Sequence, residues 1–277
     1  MKKTLQIWIM LWIAVSLFAC KKNNDDTGGN TKSLIKGVIR TYSNAPPTTL
    51  SFSYDGQGRN TDWTYESGRV SRQVIVGSRT LTYQLILNSK GLAVEVYSQS
   101  MDYNYRRKIT YDDKNRIIKL TIDEQQVNGS GLPTTNYQLT ETYDFTWDGQ
   151  SNITSTKYTY TGNANTGGMS YRIFTYSGFS SQYPNGLKMA NIGLDFFGPY
   201  GYPRINVDGG GNGIFVSSLP LLFAGSQLPT ACTSQSFDSN GNKVGEGDSY
   251  NYTYEKDGKN RISAIVGNGV TDRITYE

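Results

Sequence analysis

Residues 101–112, MDYNYRRKITYD, alternate strictly. Met101, Tyr103, Tyr105, Arg107, Ile109 and Tyr111 fall on one side, and Asp102, Asn104, Arg106, Lys108, Thr110 and Asp112 on the other. A period of two residues is that of a β-strand with one buried face. Segment 137–148 repeats it: Tyr137, Leu139, Glu141, Tyr143, Phe145 and Trp147 oppose Gln138, Thr140, Thr142, Asp144, Thr146 and Asp148. Near the end, Tyr250, Tyr252 and Tyr254 oppose Asn251, Thr253 and Glu255. One apolar face and one wet face predict antiparallel pairing, because parallel strands are usually covered on both sides. The 21 tyrosines suit such a half-buried pleated surface.

A short pattern punctuates these runs. ITYDDKNRIIKLTID at 109–123 has variants in FSYDGQGRN from Phe52, LILNSKGLA from Leu85, FTWDGQSNI from Phe145, QSFDSNGNKV from Gln235 and YTYEKDGKNRI from Tyr252. Asp side chains bond backbone N–H groups two residues on, and Asn or Gly tolerates the left-handed conformation of a short loop. Asp112 through Asn115 therefore predict a hairpin turn, and Gly58, Gly91, Gly241 and Gly258 hold comparable places in other copies. A catalytic acid has no reason to recur at successive turns, so the acids read as architectural. The pattern predicts an all-β chain: a large curved antiparallel meander sheet or incomplete barrel of roughly a dozen or more strands over 34–277. The alternative is two smaller sheets or a sandwich divided near residue 180.

Residues 183–232 interrupt the alternation. In NGLKMANIGLDFF, Leu187, Ala190 and Leu194 fit one helical face that Asn185 could cap. Pro199, Pro203 and the glycine run Gly209–Gly213 enforce loop, and SSLPLLFAGS suits a short helix with Pro220 in its first turn and Gly225 at its end. This insertion is expected to pack on the concave face of the sheet, burying Leu187, Ile192, Leu194, Phe196, Leu221, Leu222 and Phe223.

The N-terminus changes the picture from fold to location. Lys2 and Lys3 precede an apolar run, Ile7 to Ala19, that is too short to span a bilayer and has the form of a secretory signal. It ends in LFAC, which resembles the lipobox of bacterial lipoproteins and so implies cleavage before Cys20 and lipid on its thiol and amine. Residues 20–33 then read as a flexible polar tether. Lys22 followed by Asp25 and Asp26 resembles the export signal of Bacteroidetes surface lipoproteins. The repeats look like the YD-type repeats of Rhs and teneurin proteins. Lipobox, repeats and the segments NIGLDFFGPYGYP and LPLLFAGSQLPTACTS together resemble a Bacteroidetes lipoprotein family of unknown function. That resemblance implies a protein lipid-anchored at the outer membrane, on its periplasmic or cell-surface side; the family carries no established activity and offers no catalytic residues to transfer.

Composition narrows the chemistry. The formal charge of +4 falls to +2 without Lys2 and Lys3, too little to argue for nucleic acid. Cys20 and Cys232 are the only cysteines, so a lipidated Cys20 leaves no intramolecular disulfide. Histidine is absent, which removes Ser-His-Asp and Cys-His schemes and His-ligated zinc. DSNGNKVGEGDS begins like a calcium loop, yet Lys243 and Ser249 stand where a glycine and a bidentate glutamate are required. No cofactor or metal is expected.

Two charges fall on apolar faces. Arg107 and Glu141 would lie two strands apart, about 10 Å, if residues 115–125 form the strand between them. One reading is an ion pair or charges at the sheet edge. The other is a polar anchor in an aromatic ligand-binding surface of Tyr103, Tyr105, Arg107, Glu141, Tyr143 and Trp147. The expected function is a non-catalytic binding module for glycan or peptide, the membrane partner being reached through the lipid. The alternatives are a periplasmic carrier or assembly factor for an apolar ligand, a structural surface scaffold and, weakest, a hydrolase.

Overall fold

The structure, a computed structural model, describes residues 35–42, 47–51, 53, 64–76, 78–90, 92–99, 102–161, 169–180, 226–267 and 270–276. The predicted signal, tether and Cys20 lie outside these residues. So do most of the copy at 52–60 and the insertion residues Leu187, Ile192, Leu194, Phe196, Leu221, Leu222 and Phe223.

The described chain is all β, in sixteen strands. They are β1 (Ile35–Tyr42), β2 (Thr48–Ser51), β3 (Thr64–Glu66), β4 (Arg69–Val76), β5 (Arg79–Leu87) and β6 (Ala93–Gln99). Next come β7 (Tyr103–Tyr111), β8 (Ile117–Gln126), β9 (Gln138–Trp147), β10 (Ile153–Tyr160) and β11 (Tyr171–Ser177). The last five are β12 (Ala231–Phe237), β13 (Lys243–Asn251), β14 (Thr253–Lys256), β15 (Ile262–Gly267) and β16 (Val270–Tyr276). Strands β3 to β13 pair in chain order as an eleven-stranded antiparallel ladder. The other five form a second ladder, ordered β14-β15-β16-β1-β2, in which the last strand pairs with the first. Pairing runs across residue 180, since β11 and β12 match from Tyr171↔Phe237 to Ser177↔Ala231. The meander expectation therefore holds, and the division near 180 does not occur. Strands β13 and β14 read as one extended run, with buried or half-buried Tyr250, Tyr252 and Tyr254 alternating with exposed Asn251, Thr253 and Glu255.

The recurring turns have one construction. Asp112 Oδ1 accepts the N–H groups of Lys114 (3.0 Å) and Arg116 (2.8 Å), while Oδ2 receives Arg116 Nε at 2.7 Å. Asp148 does the same for Gln150 and Asn152, Asp238 for Asn240 and Asn242, and Asp257 for Lys259 and Arg261. Asn88 and Asn128 accept from the same two positions. The left-handed residue sits three places after the acid: Asn115 (φ 61°), Ser151 (64°), Gly241 (83°) and Asn260 (62°). Gly258, one place after Asp257, is thus not the left-handed residue of its turn. Neighbouring turns are laced together, Lys90 Nζ donating to Asn115 Oδ1 (2.9 Å) and Arg116 to the Asp148 carbonyl (3.4 Å).

Beyond the turn, simple alternation fails for one residue. Tyr111 pairs with Ile117 but Thr110 with Lys119, so Ile118 is an inserted bulge residue. Val94, Thr154 and Ser263 are inserted at the same place after other turns. The bulge resets which face is which. Ile117 and Leu120, three apart, are both buried, as are Ile153 and Thr156, and Ile262 and Ile265. Ile118 is left exposed.

The core face carries one contiguous apolar cluster from Val70 on β4 to Ile274 on β16. The outer face is charged and hydroxylated. Arg106 binds Asp123 through Nε (2.9 Å) and NH2 (2.7 Å), Lys119 faces Asp144 at 3.9 Å, and Arg273 faces Glu255 at 3.4 Å. The chain returning to β12 docks on the Asp148 turn. Asn152, fully buried, accepts from Ser226 Oγ and Gln227 N, both at 2.9 Å, and donates to Asp148 Oδ2 at 3.0 Å.

Candidate functional site

Arg107 reaches the core face because it shares parity with Tyr105 and Ile109 along β7. It stands in a cross-strand row between Val96 of β6 and Ile122 of β8 and is 1% exposed. Its NH1 donates to Ser98 Oγ at 2.7 Å, and its guanidinium lies 5.6 Å from the centre of the Tyr105 ring. The predicted intervening strand is β8. Ile122 separates Arg107 from Glu141, which pairs with Ile122 on one side and Tyr160 on the other. Glu141 Oε2 accepts the Tyr143 hydroxyl at 2.6 Å, and the Tyr143 ring packs 5.0 Å from that of Tyr158. Burial pushes the Tyr143 phenol up, nearby Glu141 adds to this, and Arg107 opposes it. Glu124 of β8, half-buried and paired with Tyr105, places a second carboxylate on the same face, diagonal to Arg107. The sequence reading had singled out Glu141 alone, because the bulge at Ile118 hides the parity of Glu124 with Leu120 and Ile122.

The arrangement opens at one end. Along β7 the exposure falls from 36% at Tyr103 to 3% at Tyr105. On β9 the predicted face holds from Glu141 onward, but an inserted Thr140 turns Tyr137 and Leu139 to the outer face, Leu139 opposite Asp123 and Tyr137 beneath Arg106. Trp147 belongs to the opposite end, where its Nε1 donates to the Ile117 carbonyl at 2.8 Å and Arg116 covers its ring at 5.3 Å. Of the six residues expected together, the structure groups Tyr103, Tyr105, Arg107, Glu141 and Tyr143, with Trp147 apart from them.

A second polar group on this face escaped the sequence reading. Arg172 of β11 continues the row of Tyr143 and Tyr158 and pairs with Ser236 of β12. Its Nε donates to Ser236 Oγ at 2.9 Å and its NH1 meets Asp248 Oδ2 at 3.5 Å; Ser234 Oγ also donates to that oxygen, at 3.1 Å. Burial and the adjacent Asp248 push the Tyr250 phenol up to about 12. The signal was the parity of Arg172 with Phe174 and Tyr176, which a two-residue period exposes. Beyond it Cys232 is buried, its thiol pushed up to about 12 by burial, which makes it a poor nucleophile. Among the described residues, no three His, Cys, Asp or Glu side chains are grouped to hold a metal ion.

The arrangement can therefore donate and accept hydrogen bonds across several strands, beside aromatic rings. No family model matches the chain, and no curated protein matches it. Among solved structures, the chain is similar to a porin-like protein from Bacteroides uniformis, with 14% identity and a TM-score of 0.45 over 88% of this chain and 98% of that one.

Proposed function

We propose that this chain is a lipid-anchored module of the cell envelope that binds a glycan without converting it. The observation that carries the reading is the group of Ser98, Arg107 and Glu141 within an otherwise apolar core face. Burying a guanidinium costs several kcal/mol, and an apolar residue would pack at Arg107 without that cost. Such groups are retained where recognition needs them. Aromatic rings beside paired donors and acceptors suit a sugar, whose C–H face stacks while its hydroxyls bond. The same charges disfavour a carrier for an acyl chain.

The anchor follows from LFAC and Cys20, and the outer face supports it. Lys108, Lys119 and Asp144 are among the exposed positions there, and a charge facing hydrocarbon costs about 2–4 kcal/mol at the bilayer midplane. These strands suit water on their outer side, leaving the lipid to hold the protein at the membrane.

The test is a binding panel of neutral oligosaccharides, uronate oligosaccharides and peptides on the full chain in detergent, with product analysis. Neutral oligosaccharides should bind and be recovered intact, and Tyr103→Ala and Glu141→Gln should each weaken binding about tenfold with the fold retained. Capture of peptides alone would overturn the glycan reading. Shortened oligosaccharides would overturn the non-catalytic reading and point to Glu124 and Glu141.

A further inference from the structure

Resting on the lipid anchor of that reading, we infer that the end of the sheet built by the Asn88, Asp112, Asp148 and Asp257 turns is a membrane-facing surface that meets anionic phospholipid headgroups. Three observations carry this. First, the chain leaves the anchor at this end. The turns after β5, β7, β9 and the β13–β14 run leave one end of the sheet, and those after β8 and β12 leave the other. Ile35, where β1 begins, pairs with Tyr276. The Tyr276 hydroxyl donates to the Ile262 carbonyl at 2.6 Å, and Arg261 covers its ring at 4.1 Å, beside the Asp257 turn. A coil as long as the predicted tether, residues 20–33, spans about 20 Å. Strand β8 alone, Ile117–Gln126, is roughly 33 Å long. The anchor therefore holds this end nearer the bilayer than the other.

Second, the tips of the turns differ between the two ends. The residue two places after the turn Asp or Asn gives its N–H to the side-chain oxygen. It is Lys90, Lys114, Gln150 and Lys259 at the anchored end and Ser130 and Asn240 at the other, all of them exposed. Turn geometry does not require lysine there, since Gln150, Ser130 and Asn240 make the same bond. Third, the turns themselves do not neutralise these lysines. Asp112 and Asp257 are paired with Arg116 and Arg261, each at 2.7 Å, and Lys90 Nζ bonds the uncharged Asn115 Oδ1. With exposed Lys36 next to the start of β1, four ammonium groups stand against Asp113 and Asp148, the other acids of these turns. Such an excess at the anchored end is complementary to a negative headgroup surface. It also turns the open end of β7, at Tyr103, away from the membrane.

The experiment places the full acylated chain on vesicles carrying an energy acceptor on their headgroups, one set zwitterionic and one rich in phosphatidylglycerol. A fluorophore is attached through Ser89→Cys or Ser130→Cys, exposed positions in turns at opposite ends; Cys232 is buried, so with Cys20 acylated the label is selective. On anionic vesicles, transfer from position 89 should exceed that from position 130 about threefold, because one strand length separates them. Lys90→Gln, Lys114→Gln and Lys259→Gln together, or zwitterionic vesicles, should lower that ratio about twofold or more, and high salt should do the same. Thermal melting of the triple variant checks that the fold persists. Equal transfer from both positions, or more from 130, would overturn the membrane-facing surface. A ratio untouched by the triple substitution and by headgroup charge would overturn the part assigned to the lysines. A wild-type chain that does not pellet with either set of vesicles would overturn the anchor itself.

Discussion

Asn152 is the point at which the turn motif, the sheet and the returning chain meet, so its replacement tests the architecture in one place. It is fully buried and makes three side-chain bonds: from Ser226 Oγ, from Gln227 N and to Asp148 Oδ2. Asn152→Ala removes all three. Ser226 Oγ keeps the Gln150 carbonyl at 2.6 Å, but the Gln227 N–H loses its acceptor. At about 1 kcal/mol per bond, and more for the orphaned donor, the loss is about 3–4 kcal/mol. For a domain of this size that is a fall in Tm of roughly 6–16 °C. Asn152→Asp sharpens the test, because it keeps Oδ1 and replaces Nδ2 by an oxygen facing Asp148 Oδ2. Two charges 3 Å apart repel by up to about 5 kcal/mol at an effective dielectric of 20. In that variant one carboxyl is raised above its unfolded value, so the destabilisation is greatest at neutral pH and relaxes as pH falls through the raised value. Thermal melts of wild type and both variants between pH 4 and pH 7 read this directly. An Asn152→Ala protein melting within a degree of wild type would refute the reasoning. So would a constant gap between Asn152→Asp and wild type across that range.

The turn acids make a second pH signature of opposite sign. Burial pushes Asp112 and Asp257 up, but the hydrogen bonds of their turns outweigh it and hold both below the usual carboxylate range. Asp238 is lowered foremost by Asn242. Their contribution is therefore present above the unfolded value, near pH 4, and is lost as pH falls through the lower folded values. Replacing all three with Asn should flatten the acid limb of a Tm-against-pH curve; an unchanged limb would count against the motif. The bulge predicts that Leu120→Ala costs about 2–5 kcal/mol in chemical denaturation while Ile118→Thr costs little; equal costs would mean the register is wrong. Cys20→Ala should release the protein from the membrane fraction or leave its signal uncleaved, and wild-type fractionation with palmitate labelling would rule out the anchor.

Strand faces and turns were legible because each rests on local rules. The two-residue period of 101–112 placed Tyr105, Arg107 and Ile109 on the buried side, and an acid followed by Asn or Gly marked the turns. The bulges were not legible as such. They appear only as a spacing of three between core residues after a turn, as from Ile117 to Leu120, which a strict alternation treats as noise. The left-handed position was misplaced at Gly258 for a related reason: the Asp geometry sets the position by count from the acid, and Asn260 tolerates it. The polar group around Arg172 needed pairing between β11 and β12, whose partners Arg172 and Ser236 lie 64 residues apart in the chain. No local pattern encodes that distance. Trp147 shared a face with Glu141, yet position along the strand put it at the other end of the sheet.

The most direct measurement of the central claim is hydrogen exchange of the full chain in detergent, with and without a saturating neutral linear oligosaccharide. Slowed exchange is expected only on β7 around Tyr103 and on β9 around Glu141. The turns at Asp112 and Asp148 should exchange as before. Protection at those turns, or none on β7 and β9 under saturation, would contradict the binding reading.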